Sequence, residues 1–350
     1  MVSMVGTNRG SAQGDLKCHR CAVCDGYGCP GMLPGLGGVF EGKNFQLNCE
    51  GWHELFEQAQ AHGEGEKIRR LSVRPEQLRC GPVTGAVENI GYAKESDFYL
   101  PYLRNAAEAG FGLCVGDGCP DEKLKLGAAA VKELTENLVV EPNMVLEHNT
   151  VLEPNAVVEP NAVVVPNGVV EPVETTTEPN VLKAAFFLKP YPQEKLFERA
   201  EWVRPFASHI GIDIDSYNIV TMRNLVNLER KTAAQLQEFR THTKLPFVIK
   251  GVFTDDDLEL VRQVRPDVVY ISNHGGRVET RIGSTAEFLA KHAGELKQYC
   301  KEIWIDGGIR TKQDIQTALY FGADQVIMAR PLIRATFDDH YAETVCELLK

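Results

Sequence analysis

From about residue 78 onward, short apolar runs alternate with stretches of helical period. The runs that read as strands centre on Cys80–Val83, Gly112–Val115, Ala184–Leu188, Ile210–Ile214, Phe247–Lys250, Val268–Ile271, Ile303–Ile305 and Gln325–Met328. They are short and almost continuously apolar, as strands buried on both faces of a parallel sheet are. Most end in Gly, Asp, Lys, Ser or Asn. The segments between them carry helix signals. Thr254 precedes three aspartates, and Leu258, Val261 and Val264 then recur on one face. Thr311 and Asp314 form a capping-box variant, Ile315, Ala318 and Leu319 share a face, and Gly322 ends the helix. Strand–helix alternation repeated eight times predicts an α/β fold of the (β/α)8 TIM-barrel type over residues 78–350. An open doubly wound sheet is the alternative, and the count of eight favours the barrel.

Two stretches break this rhythm. Residues 1–77 read as a flexible tail, a Cys/Gly-rich segment and a cap, with a short helix over Trp52–Gln60. Residues 139–180 repeat with a period of six, in the form Val-Val-Glu-Pro-Asn-Ala. Six-residue periods can mark β-helix rungs. Proline in nearly every repeat instead predicts an extended low-complexity insert. It follows the helical stretch Glu122–Asn137 and precedes the third strand. Such a helix-to-strand connection lies at the bottom of a barrel, away from chemistry.

Composition narrows the class. The chain has 350 residues, a net charge of −11 and no basic stripe, so nucleic acid is not an expected partner. No apolar run approaches 18 residues, and Met1 to Lys17 lacks the apolar core of a signal peptide. The expectation is a cytoplasmic protein with no membrane partner. Four of its ten cysteines cluster as Cys18, Cys21, Cys24 and Cys29, the last followed by proline. Thiolates at this spacing can converge on a metal or an iron–sulfur cluster. The run has four residues, not three, before its Cys-Pro, and no second cysteine set follows. A reduced, unliganded loop is therefore the reading taken, and no metal is expected.

The chemistry collects where the strands end, which in such barrels is the catalytic face. The sixth strand runs into Ser272-Asn-His-Gly-Gly-Arg277. A histidine can move protons near neutral pH, an arginine can clamp a carboxylate, and the glycines let backbone approach a ligand. The other ends offer Val83 and Thr84, Asp117, Lys189, Asp213 and Asp215, and Lys250. The last two strands end in Asp306-Gly307-Gly308-Ile309-Arg310 and Ala329-Arg330. Glycine-exposed amides beside two arginines, at the strands where barrels commonly hold phosphate, read as a phosphate grip.

Together Leu245–Gly251, Ser272–Arg277, Asp306–Arg310 and Gly322-Ala-Asp resemble the FMN-dependent α-hydroxy-acid oxidase/dehydrogenase family, which includes glycolate and lactate oxidases. The strong resemblance covers about Leu245 to Arg334. It implies FMN as cofactor and oxidation of a small 2-hydroxy acid to the 2-oxo acid. On that resemblance His274 is the base, Asp215 pairs with it, and Arg277 and Lys189 hold the substrate. Val83, Thr84, Lys250, Ser272, Asp306, Gly307, Gly308, Arg310, Ala329 and Arg330 hold the cofactor. The expected partner is a 2-hydroxy carboxylate, with a homo-oligomer left open. The chain departs from the pattern in four places. Val278-Glu279-Thr280 replaces a Leu-Asp pair, Lys189 stands where a tyrosine is expected, the cysteine-rich segment stands where glycolate oxidases carry a tyrosine-bearing N-terminal segment, and Arg223 is one residue out of register with a second substrate arginine. Two alternatives follow: a flavin-binding relative without turnover, and an FMN enzyme like type 2 isopentenyl-diphosphate isomerase.

Overall fold

The computed structural model describes residues 43–90, 92–140, 181–218, 226–278, 280–337 and 339–350. The cysteine cluster, the repeats from 141 to 180, Arg223 and Glu279 lie outside the described residues. Eight strands form one sheet: β1 (Leu78–Cys80), β2 (Leu113–Gly116), β3 (Ala184–Leu188), β4 (Ala207–Asp213), β5 (Phe247–Val252), β6 (Val268–Ile271), β7 (Glu302–Ile305) and β8 (Gln325–Met328). Every strand pair in the sheet is parallel, and the order is β1-β8-β7-β6-β5-β4-β3-β2. A parallel bridge from Arg79 to Gly112 joins the two ends. Cys80 N donates to Gly112 O (3.1 Å) and Gly112 N to Leu78 O (2.9 Å), so the sheet closes into the expected barrel.

The helices follow the strands: α3 (Ser96–Glu108), α4 (Glu122–Val140), α5 (Gln193–Val203), α6 (Ala233–Thr243), α7 (Asp255–Val264), α8 (Thr285–Leu296), α9 (Lys312–Tyr320) and α10 (Arg330–Phe337). Before the barrel come α1 (Lys43–Ala61) and α2 (Gly65–Arg69), and after it α11 (Tyr341–Leu349). Thr254 and Thr311 cap α7 and α9 as the sequence implies, each accepting from the amide three residues on. Among the described residues no helix is long and apolar enough to cross a membrane.

Strand alternation sorts the core into two layers. Cys114, Ala185, Phe187, Val248, Val268, Tyr270, Trp304 and Ile327 pack together inside the barrel. Their neighbours, such as Phe186, Ile249, Val269 and Ile303, pack against the helices. Arg79 stacks over Trp304, its guanidinium carbon 4.0 Å from the ring centroid, beside His209 near the N-terminal ends of the strands.

Candidate active site at the C-terminal mouth of the barrel

The same alternation builds the site. In β3 the inward series Ala185, Phe187 continues to Lys189; in β4 it ends on Asp213, with Asp215 just past the strand; in β5 it runs Val248, Lys250. Asp213 lies opposite Lys250 in the β4–β5 register. Its carboxylate therefore bridges two ammoniums, accepting from Lys189 Nζ and Lys250 Nζ at 2.7 Å each. All three side chains are buried. Burial opposes ionisation of Asp213, but the two lysines hold its carboxyl well below the usual range. Burial works against the Lys250 ammonium too, and the carboxylates of Asp213 and Asp215 more than offset it.

Above this layer the chain turns sharply. His274, Gly275 and Gly276 have φ of 57°, 64° and 90°, so a non-glycine residue occupies the left-handed region. The turn aims the imidazole at β4: His274 Nδ1 lies 3.1 Å from Asp215 Oδ1 and 3.6 Å from Asp213 Oδ1. Burial, opposed by Asp213 and aided by Lys250, Lys189 and Arg277, keeps the imidazole pKa well below its ordinary value. Asp215 moves the other way: burial and the neighbouring Asp213 carboxylate push its carboxyl well above the usual range. Three oxygen- and nitrogen-bearing groups this close could hold a cation. The ammoniums of Lys189 and Lys250 already supply that charge to Asp213. Arg277 folds back to donate from Nη1 to His274 O (3.0 Å), and burial lowers its pKa to about 10.

A cavity of about 220 Å³ opens over these groups. Its wall includes Val83, Thr84, Lys189, Asp213, Lys250, His274 and Arg277, and also Asp306, Gly307, Gly308, Arg310, Ala329 and Arg330. Asp215 and Ser272 stand behind that wall. Asp215 backs His274 and lines a second cavity with Arg230 and Lys231. Ser272 is fully buried, and its hydroxyl accepts from His274 N (3.2 Å). Asp306 Oδ2 accepts from Tyr270 OH (2.8 Å), while Asp306 Oδ1 is buried without a partner.

Three groups on or behind the wall, Phe45, Asn48 and Arg199, were not singled out from the sequence, whereas Asp117 was. Phe45 and Asn48 come from α1, and the Phe45 ring lies under the Arg330 guanidinium at 4.7 Å. Asp117 is held by Arg199 Nη1 (2.5 Å), Gly118 N and Lys189 N, and burial lifts its pKa to about 6 despite them. A charged residue among the apolar positions of α5 was the available signal for Arg199. The glycines also carry a different burden from the one read in the sequence. A Cβ on Gly308 would lie 1.8 Å from Asn48 O, and one on Gly276 2.5 Å from Phe45 N. Both are bare because α1 presses on them.

The fold and the site define a (β/α)8 barrel whose mouth combines a histidine–carboxylate pair with a basic, glycine-lined cavity. Residues 180–350 match the family model described as FMN-dependent dehydrogenase. 2-Hydroxyacid oxidase 2 of Bos taurus is 33% identical over 117 residues, covering 33% of this chain and 33% of that protein. The Dictyostelium discoideum 2-hydroxyacid oxidase is 38% identical over 98 residues, covering 28% and 25%. The matched stretches thus span a third or less of these relatives. Among solved structures, a mandelate oxidase variant with a monooxide FMN adduct superposes with a TM-score of 0.53 at 17% identity, over 81% of this chain and 74% of that one. It shares the fold.

Proposed function

We propose that the chain is an FMN-dependent oxidoreductase that oxidises a small 2-hydroxy acid to the 2-oxo acid. The observation that carries this reading is the placement of an uncharged His274, backed by Asp215, beside Arg277 and Lys250 in one cavity. The residues present suit the cofactor. The partnerless Asp306 Oδ1 asks for a hydroxyl donor such as a ribityl chain carries. Arg310 and Arg330 place positive charge at the ends of β7 and β8, where a phosphate is commonly held. Val83, Thr84, Gly307, Gly308 and Ala329 complete that wall, and Lys250 offers a cation to a reduced, anionic ring. The flavin, when bound, supplies the acceptor for two electrons and the α-hydrogen.

The chain's own residues do the rest. Arg277 binds the substrate carboxylate with its planar fork. His274 Nδ1 is engaged by Asp215, which leaves Nε2 to take the hydroxyl proton. Asp215 steadies the imidazole as it gains charge. Lys189, pinned by Asp213, presents a cation to the substrate end of the cavity where the family pattern expects a tyrosine. The sequence Val278-Glu279-Thr280, which departs from the pattern, follows Arg277 directly.

The test is spectroscopic. The purified protein should be yellow and should bleach without oxygen when the correct 2-hydroxy acid is added. His274→Ala should keep the chromophore and lose roughly 10²- to 10⁴-fold in the rate of bleaching. A colourless folded protein, or a flavin that no 2-hydroxy acid reduces, would sink the reading.

A further inference from the structure

We propose that Asn48, on a helix outside the barrel, is a positioning residue for His274 and acts through Asn273. The left-handed backbone of His274, with φ of 57°, is strained for a residue with a side chain and persists only where neighbours over-determine it. Asn273 is the residue that does so. Its Oδ1 accepts from Gly276 N (2.9 Å), closing the turn around His274. The same side chain forms a reciprocal amide pair with Asn48. Asn48 Nδ2 donates to Asn273 Oδ1 (2.7 Å), and Asn273 Nδ2 donates to Asn48 Oδ1 (3.0 Å). Asn48 Oδ1 also accepts from Thr285 N (3.0 Å), which ties the pair to the start of α8. Two hydrogen bonds between planar amides fix rotation as well as distance. Asn48 and Asn273 are almost fully buried, so neither can trade its partner for water.

The pair does not stand alone on α1. Asn44 and Asn48 and Trp52 follow at i, i+4 and i+8, which puts all three on one helix face. Asn44 Nδ2 donates to Val278 O (2.5 Å) and Arg281 O (2.7 Å), and its Oδ1 accepts from Gly283 N (2.9 Å). Trp52 Nε1 donates to Gly307 O (2.7 Å). The upper and lower bonds grip the chain after Arg277 and the loop after β7. Only the middle one reaches the His274 turn. If the face served docking alone, apolar contacts would meet the need without the cost of burying two amides. The amide pair adds a defined backbone geometry at the one non-glycine left-handed residue of the site.

The inference rests on the proposed function only in taking His274 as the base. Its test therefore includes a readout that needs no turnover. Nitrogen-15 spectra of histidine-labelled protein, as purified, should show one Nδ1 resonance set by the bond to Asp215 and lost in His274→Ala. In Asn48→Ala that resonance should move toward a solvated imidazole. With a reducing 2-hydroxy acid, kcat should fall about 10- to 100-fold, the size of effect a misplacement near 1 Å produces, with a smaller change in KM. In the His274→Ala background, Asn48→Ala should add nothing. Trp52→Phe serves as control, since it should lower the melting temperature and leave the resonance in place. Asn48→Asp, close in shape but without the donor, covers the case in which the alanine variant does not fold. A folded Asn48 variant with an unchanged resonance would overturn the proposal. So would an equal shift in Trp52→Phe, a kcat loss undiminished in the His274→Ala background, or failure of both Asn48 variants to fold. A protein that no 2-hydroxy acid reduces would defeat the proposed function and leave the spectral test intact.

Discussion

His274 and Asp215 titrate in opposite directions, and each has a consequence that can be measured. Burial holds the imidazole pKa well below 6.5, so the base stays uncharged through neutral pH. The acid limb of kcat/KM for a 2-hydroxy acid should then fall below about pH 6.5; a limb at or above neutrality would remove His274 as the base. The same shift makes the fold lose stability as the pH drops below about 6.5, because the unfolded chain takes up a proton first. Asp215 behaves in the reverse sense. Its carboxyl is raised by burial and by Asp213, so it costs stability as the pH climbs above about 4. Asp215→Asn should therefore raise the melting temperature at pH 7, change it little at pH 4, and slow turnover. Equal gains at both pH values would show that burial next to Asp213 is not the cause. His274 and Arg277 were legible as residues because they are the two titratable side chains of one glycine-rich strand end. Asp213 was visible there too, but its bridge to Lys189 and Lys250 depends on the register of three strands, which no local pattern states.

The helix α1 shows where element-level reading falls short. The sequence predicts a helix only over Trp52–Gln60, whereas α1 begins at Lys43. Its first two turns bury Asn44 and Asn48 beside Phe45, so the inward stripe is half amide and carries a weak hydrophobic period. β1 was displaced for a related reason. The apolar look of Pro82 and Val83 draws the strand toward the mouth, but pairing with β8 ends at Cys80 and both residues turn into the cavity wall. The interior strands, continuously apolar and ended by polar residues, were placed to within a few residues. The seat of α1 gives a prediction of its own. Gly308 has φ of 78° and no room for a side chain under Asn48. Gly308→Ala should cost roughly 2–4 kcal/mol through backbone strain and overpacking combined. Denaturant unfolding checks this, and a loss under about 0.5 kcal/mol would mean that α1 is free to lift away.

At the scale of the whole molecule, the barrel separates its two ends. The chemistry gathers at the C-terminal ends of the strands, on Lys189, Asp213, Lys250, His274, Asp306 and Arg330. The N-terminal ends carry a packed plug in which Arg79 stacks on Trp304. The hexad repeats of residues 141–180 enter at that lower end, because α4 stops at Val140 and β3 starts at Ala184. The five residues of β3 rise about 3.3 Å each, which puts the join roughly 17 Å below Lys189. The two described attachment points, Val140 and Ala184, both lie on the side of the barrel away from the His274 turn. Replacing 141–180 by a short Gly/Ser linker should therefore leave the flavin spectrum, the rate of bleaching by a 2-hydroxy acid and the melting temperature close to those of the full chain. Closure of so short a loop changes the entropy by only about 1 kcal/mol. A shortened protein with native circular dichroism but no bound flavin would show that the repeats reach the upper face, and the separation of the two ends would have to be abandoned.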